Sequence, residues 1–377
     1  MTAPLTEMLD LAELRGAVRD VLADRRGDAF AIPGEEGRGL DRALWAEMAA
    51  LGWLGLAIPE VQGGLDQGVA HLGVLYEELG RELAPVPVLP TMLAAVVIGR
   101  YGDTAVRDQW LPAIAAGDCL AALSLPSDGG VATLDAGGRL SGTIDHVAFA
   151  DVANLLLLPV RSADGIALAL VPAGSPGVTV VPRPIVDLTR SIGRIELKGV
   201  PLPPAALLSL DLADWDMLDD HAAMALACDA VGASAALLDR TVEYLKIREQ
   251  FGRPIGSFQA LKHRVADWKV KIEAATALSR HVAALLASGD GGPAASAAAS
   301  EAKAYACDIF AAFAGDAVQL HGGIGFTWEH PCHLFLKRAK LGQQLHGSST
   351  AHKERAGRYA FGERDRAVAP EPKPITV

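Results

Sequence analysis

The sequence predicts an α+β protein of three parts. These are an N-terminal helical domain (residues 1–118), a central β-sandwich or barrel (119–208) and a C-terminal four-helix bundle (209–365), followed by a disordered tail (366–377). Three observations predict it. Apolar residues recur at helical spacing at both ends of the chain. Between them lie short apolar runs cut by turn residues. The composition is half hydrophobic but only 5% aromatic, which suits closely packed helices.

In the first part, Leu11, Leu14, Val18, Val21 and Leu22 mark one helix, and Leu44-Trp45 through Leu51 a second. The second runs into the breaker Ile58-Pro59-Glu60-Val61-Gln62-Gly63-Gly64. Val74 to Leu83 and Ala105 to Ala115 read as further helices. The most apolar stretch, Val86 to Ile98, is interrupted by Pro87 and Pro90 and is too short to span a bilayer. In the second part, Leu155–Val160, Ile166–Val171 and Val178–Val181 are strand-like, separated by Ser162–Gly165 and Gly174–Gly177. The third part begins after Pro204. Asp214 to Lys246 reads as one very long helix or two abutting ones, followed by helices at Val265–Ala287, Ala294–Leu320 and Pro331–Leu345. Long helices with short connections form a bundle.

Bulk properties narrow the function. A net charge of −11 argues against nucleic acid, which demands basic density. Cys119, Cys228, Cys307 and Cys332 are scattered with no C-x-x-C pair, as in reduced, cytoplasmic proteins. The N-terminus carries acids from Glu7 onward and no apolar signal core, so a soluble protein is expected.

Neither G-x-G-x-x-G after a strand, nor G-x-x-x-x-G-K-[ST], nor G-x-S-x-G is present. Two other segments stand out. Residues 248–259 (REQFGRPIGSFQ) put Arg248 between two long helices, able to present a guanidinium fork to a phosphate. By itself, such a segment reads at least as well as a turn with solvated arginines. Residues 319–330 (QLHGGIGFTWEH) put three glycines in four positions just after a helix, where bare backbone can approach a ligand closely. By itself, this is equally a glycine C-cap and a turn.

Together and in this order the two segments closely resemble the acyl-CoA dehydrogenase family, which carries R-x-x-F-G-x-x-[IL]-x-x-x-Q and then Q-x-x-G-G-x-G-[FY]. Leu51-Gly52-Trp53 through Pro59-Glu60 and Gly63-Gly64, then Tyr76-Glu77-Glu78-Leu79-Gly80, extend the resemblance to nearly the whole chain. It implies the acyl-CoA dehydrogenase-like fold, in the same helix–β–helix order. It also implies FAD at a subunit interface and an acyl-CoA thioester as substrate. In that family a carboxylate removes the α-proton, the β-hydrogen leaves as hydride to the flavin, and an electron-transfer flavoprotein accepts the electrons. By position, Arg248, Phe251, Phe258, Gln259, Gln319, Gly322 and Gly323 would clamp the adenylate and pyrophosphate of a neighbouring subunit's FAD.

The pattern departs where the chemistry lies. The family's commonest base is a Glu in a segment matched here by residues 339–349, and that position holds His346. The alternative Glu position, on the long helix, is Ala222. The flavin-side segment T-E-P-x-x-G-S-D is represented by Ser124–Gly130, where Ser124 keeps a hydroxyl, and W-I-T-N-[GA] by His146–Ala150. A kept clamp with a lost base resembles the actinobacterial branch acting on steroid side chains, in which two unlike subunits form an α2β2 tetramer. This chain looks like the subunit without the base, and Asp187-Leu188-Thr189-Arg190 also resembles that branch.

Other readings compete. His346 is a candidate base in a homomeric enzyme, since imidazole titrates in the right range. Asp219 and Asp220 read as solvated acids at a helix start. His330, Cys332 and His333 with His321 match no standard zinc spacing, and no metal is expected. A scaffold subunit with the same fold and no enzymatic role is the alternative of a different class. The acyl pocket would be shaped by residues between Leu83 and Met92 and by the helix 214–246, and the prolines at 85 and 87 would widen it.

Overall fold

A computed structural model describes residues 9–24, 40–163, 165–289 and 291–361. The tail expected from Arg366 onward lies outside the described residues.

Five helices come first: α1 (Leu11–Asp24), α2 (Arg42–Ala50), α3 (Val69–Arg81), α4 (Val88–Tyr101) and α5 (Thr104–Ala115). Asp41 and Asp103 cap α2 and α5, their carboxylates accepting from Leu44 N and Val106 N. Such caps satisfy donors that a helix start leaves free. α4 shows how the stretch 86–98 accommodates its prolines. Pro90 stands in the first turn, where its missing N–H costs nothing, so the stretch is a helix. It is buried on almost every side, which is why it shows no apolar stripe.

The central part holds β1 (Ala121–Leu123), a helical turn α6 (Pro126–Gly129), β2 (Ala132–Leu134), β3 (Arg139–Ala148), β4 (Leu155–Ser162), β5 (Gly165–Pro172), β6 (Val178–Arg183), β7 (Ile192–Pro201) and β8 (Leu207–Ser209). The strands pair as one mixed sheet in the order β6-β7-β3-β2-β4-β5-β8, with β1 parallel to β4. The β-sandwich or barrel expected there is thus a single hydrogen-bonded path. The β3–β7 register shifts between Ile144 and Val147. There the Asp145 carboxylate accepts from Arg183 of β6 and Arg194 of β7.

The last part is α7 (Leu212–Ile247), a small hairpin of β9 (Glu249–Gln250) and β10 (Arg253–Pro254), then α8 (Gln259–Ala287), α9 (Pro293–His321), α10 (Cys332–Gly342) and α11 (Ser349–Ala360). α7 is one unbroken helix of 36 residues, started by reciprocal side-chain caps between Asp211 and Asp214. By length and composition it could cross a membrane, but 89% of its most apolar window is buried inside the protein. It is the core helix of the bundle. Asp219 and Asp220 do not start it. Asp220 is buried and pairs with Arg355 of α11 at 2.7 Å and with Ser296 of α9 at 2.7 Å. α11 has a charged, weakly apolar sequence; Arg355 pairs with Asp220 and Asp216, and Lys353 with Asp308 of α9.

The N-terminal part is not a separate body. α3 meets α7 backbone to backbone: a Cβ on Gly80 would stand 2.2 Å from Asp229 O, and one on Gly232 1.8 Å from Glu77 O. Arg15 and Arg19 of α1 and Arg280 of α8 converge on Glu77 and Glu78 of α3.

Candidate functional site

α7 and α9 end, and α8 begins, at one end of the bundle. The Tyr244 hydroxyl of α7 donates to His321 O at the end of α9 (3.1 Å), and the two rings lie 4.6 Å apart. Arg248 closes α7 and is exposed. Phe251, in the β9–β10 turn at φ +55°, is 90% exposed and meets Phe258 edge-on at 6.1 Å. The Arg253 guanidinium covers Phe258 at 4.1 Å. Gln259 opens α8, whose N-cap residue Phe258 offers no side-chain cap, so the first amides of α8 remain available to an anion. Gln319 is exposed, and a Cβ on Gly322 (φ +66°) or Gly323 would meet nothing within 4 Å.

The seven residues expected to form the clamp therefore share one end of the molecule and face outward. A guanidinium, two side-chain amides, uncapped helix amides, an aromatic face and unobstructed glycine backbone fit the adenylate and pyrophosphate half of FAD.

Ser124 lies elsewhere. It follows β1, is fully buried, and its hydroxyl donates to Leu125 O at 3.4 Å. At the other ring-side positions, Ala148 and Phe149 form a buried apolar cluster with Ile192, and Leu345 and Ile185 pack against it. Phe149 and His146 adopt φ +57° and +58°, uncommon for side-chain-bearing residues. Where the family pattern has Trp and Thr, the exposed His146 and the buried Ala148 stand, the latter packed with Phe149.

His346 sits in the loop between α10 and α11 at φ +50°, its side chain 6% exposed. Nδ1 donates to Asp128 Oδ2 at 3.0 Å, and the same oxygen accepts from Leu125 N at 2.8 Å. His352 Nε2 donates to His346 O at 2.8 Å. The fully buried Lys303 of α9 reaches the loop as well, donating to Gln343 O (3.1 Å) and Gly347 O. Burial alone would lower the His346 pKa, but the charge and hydrogen bond of Asp128 outweigh it and carry the imidazole above its ordinary value. His352, desolvated and near Lys303, is pushed down to about 4 and stays neutral.

The expected acyl pocket is a cavity of about 40 Å³. It is bounded by Val86, Val88 and Leu89 ahead of and in α4, by Ala225 and Asp229 of α7, and by Phe149. The prolines at 85 and 87 do not widen it. Asp229 accepts a fork from Arg338 of α10 and pairs with Arg190 at 3.1 Å. A wider cleft of about 680 Å³ runs along α10 and is lined by Val186, Phe326, Trp328 and Lys337. His321 and His330 stack at 4.3 Å, and among the described residues no group of three potential ligands could hold a metal.

Sequence reasoning missed Asp128, Asp229, Arg338 and Lys303. A signal existed for two of them. Asp229 is a lone charge inside an alanine-rich helical run and Lys303 stands with Glu301 in another, and a charge buried there must be paired.

Helices, one mixed sheet and a helical bundle in this order define the class of fold that flavin-dependent acyl-CoA dehydrogenases share. Residues 10–118 match the pattern of the "Acyl-CoA dehydrogenase, N-terminal domain" and residues 219–360 that of the "Acyl-CoA dehydrogenase, C-terminal domain". IpdE2, an acyl-CoA dehydrogenase of Mycolicibacterium smegmatis, is 34% identical over 82% of this chain and 85% of its own. FadE34 of Mycobacterium tuberculosis is 36% identical over 81% of this chain, which spans 40% of that longer protein. Among solved structures, a variant of the Tcur3481-Tcur3483 steroid ACAD is 34% identical with a TM-score of 0.84, covering 93% of this chain and 98% of that one. The ChsE4-ChsE5 complex from Mycobacterium tuberculosis is 28% identical with a TM-score of 0.84, covering 97% and 99%. The chain belongs to the acyl-CoA dehydrogenase family of FAD-binding oxidoreductases, which act on CH–CH bonds.

Proposed function

We propose that this chain is the non-base-bearing subunit of a heteromeric acyl-CoA dehydrogenase that introduces an α,β double bond into an acyl-CoA thioester. The observation that carries the reading is His346. It stands at the family's base position in place of a carboxylate, with its Nδ1 engaged by Asp128 at 3.0 Å. The α-proton then goes to a carboxylate on a partner subunit.

The chain's own contribution is to the cofactor. Arg248 pairs with the pyrophosphate, Gln259 and Gln319 hydrogen-bond the adenylate half, Phe251 and Phe258 offer apolar faces, and Gly322 and Gly323 let the backbone come close. When bound, FAD accepts the β-hydrogen as hydride. Similarity to a steroid ACAD and to a two-chain complex supports an α2β2 assembly and a steroid side-chain thioester as the substrate class. An electron-transfer flavoprotein takes the electrons, and the four unbridged cysteines fit work in the cytoplasm.

The test is reconstitution. The chain purified alone should be colourless and inactive toward acyl-CoA esters with a dye acceptor. Co-expression with the base-bearing partner should give a yellow, active complex. Robust turnover by the isolated chain, abolished by His346→Ala, would overturn the reading and make His346 the base of a homomeric enzyme.

A further inference from the structure

The loop that carries Gly322 and Gly323 is closed by two imidazoles. His321 is the last residue of α9, His330 stands just ahead of α10, and residues 322–329 run between them. The two rings stack at 4.3 Å with 42° between their planes, and the Tyr244 ring of α7 flanks both, 4.6 Å from His321 and 6.3 Å from His330. Hydrogen bonds fix the proton on each ring. His321 Nδ1 lies 2.7 Å from Ala317 O, and a carbonyl only accepts, so Nδ1 carries the hydrogen. The buried Nε2, which has no protein partner, is then a lone pair. His330 Nδ1 accepts from the Cys332 amide at 3.2 Å, so the hydrogen of His330 is on Nε2. His330 thus holds both flanking helices: its ring lies on the end of α9, and its Nδ1 takes up the first amide of α10.

A second observation is independent of the rings. A Cβ on Gly325 would stand 3.0 Å from Val318 O and 3.1 Å from His321 Cβ, so the loop backbone lies directly on the last turn of α9. Thr327 turns the chain back, its amide and hydroxyl donating to Ile324 O at 3.1 and 3.0 Å. Gly322 and Gly323, by contrast, are exposed, with nothing within 4 Å of a Cβ. One side of the loop is fastened, and the side with the open glycines faces out.

We propose that His330 is a positioning residue for the flavin: stacked on His321 and bonded to the α10 amide, the neutral imidazole buckles the span 322–329 so that the Gly322–Gly323 backbone stands ready for the pyrophosphate. This rests on the clamp proposed for those glycines. A proton on His330 Nδ1 would set an N–H against the Cys332 N–H. It would also place a cation among Arg240 and Tyr244 of α7, His321 of α9 and His333 of α10. Desolvation and the neighbouring His321, Arg240 and His333 hold the His330 pKa down to about 4. An opened loop returns it toward the ordinary value of about 6.5, so the buckle is at full strength above that pH and weakens as pH falls toward 4.

Hydrogen exchange and flavin retention, read together, test it. Peptides spanning 318–332 are followed by mass spectrometry in the complex with the base-bearing partner, with FAD and after its removal, beside the FAD left after dialysis. His330→Ala removes both the ring and the acceptor. In the flavin-free complex it should speed exchange of 322–329 about tenfold, with FAD loss rising as much, the scale of one aromatic pair together with one helix cap. His330→Phe keeps an uncharged ring and should recover most of both. Between about pH 7.5 and about pH 5 the wild-type loop should open further and shed flavin, beyond the intrinsic change in exchange rate, while His330→Phe should not. His330→Arg, charged throughout, should already be open at the higher pH. Unchanged loop protection in a folded His330→Ala variant overturns the proposal, and so does an acid response that His330→Phe shares with wild type. If His330→Ala does not fold, His330→Phe and His330→Arg decide. Arg248→Ala separates the two readings. Flavin kept by Arg248→Ala refutes the clamp, whereas flavin lost by Arg248→Ala but kept by an open-looped His330→Ala refutes the positioning role alone.

Discussion

At the scale of single residues, the base position is the most informative place in the chain. The His346–Asp128 pair is buried, so His346→Leu leaves a lone carboxylate and should cost about 3–5 kcal/mol near neutral pH. The folded-state pKa of His346 lies above its unfolded value, so the pair's stabilisation is fully present below about pH 6.5 and fades as pH rises through the folded pKa. Thermal melts of wild type and His346→Leu across pH 6 to 9 should converge toward the alkaline end; a constant gap would deny the charge its part. His346→Glu should not create a working base. It would set a second carboxylate against Asp128, and two such groups cannot both ionise there. At the clamp, Arg248→Ala removes a charge-assisted fork worth about 1.5–3 kcal/mol, so the assembled complex should release FAD tenfold or more readily. Unchanged flavin content after dialysis would remove Arg248 from the site. The segments that carry the proposed clamp were legible in the sequence because their motifs are local, confined to two short stretches. Asp128 was not, since its role appears only when a loop 218 residues away folds onto it.

At the scale of elements, helices with alternating faces were readable and the others were not. α1 and α2 show a buried apolar stripe, whereas α4 is enclosed, and the buried face of α11 is made largely of His352 and Arg355, which an apolar pattern does not mark. Glycines within helices divide in the same way. Gly232→Ala drives a methyl into Glu77 O and should destabilise by more than the ~1–3 kcal/mol typical of overpacking, lowering the melting temperature clearly. Gly315 in α9 is exposed with nothing within 4 Å of its missing Cβ, so Gly315→Ala should stabilise by about 0.5–1 kcal/mol. Chemical denaturation of both variants checks the contrast. Equal effects would mean that α3 and α7 are not in backbone contact.

At the scale of the whole molecule, the three-part order was visible in the change of hydrophobic period near Cys119 and again after Pro204. The buried cluster of Arg190, Asp229 and Arg338 was not visible, because its members meet from three distant segments. Histidines kept neutral by desolvation set an acid limit on the fold. His352, at about 4, and His330, also at about 4 by burial, take up protons more readily when unfolded. Stability should therefore fall as pH drops from about 6.5 toward 4. His352→Gln should flatten that part of the profile.

The contact of Gly80 and Gly232 also decides how the chain comes apart. With α3 set against the backbone of α7, and Glu77 and Glu78 holding arginines from α1 and α8, no seam separates the N-terminal helices from the bundle among the described residues. The boundary drawn by periodicity is a change of texture, not a hinge. Heating the chain should give one calorimetric transition, and limited proteolysis should not release a stable fragment beginning near residue 209. Such a fragment would uncover the strip of α7 that α3 normally covers, and it would associate through that strip before it could rest as a monomer.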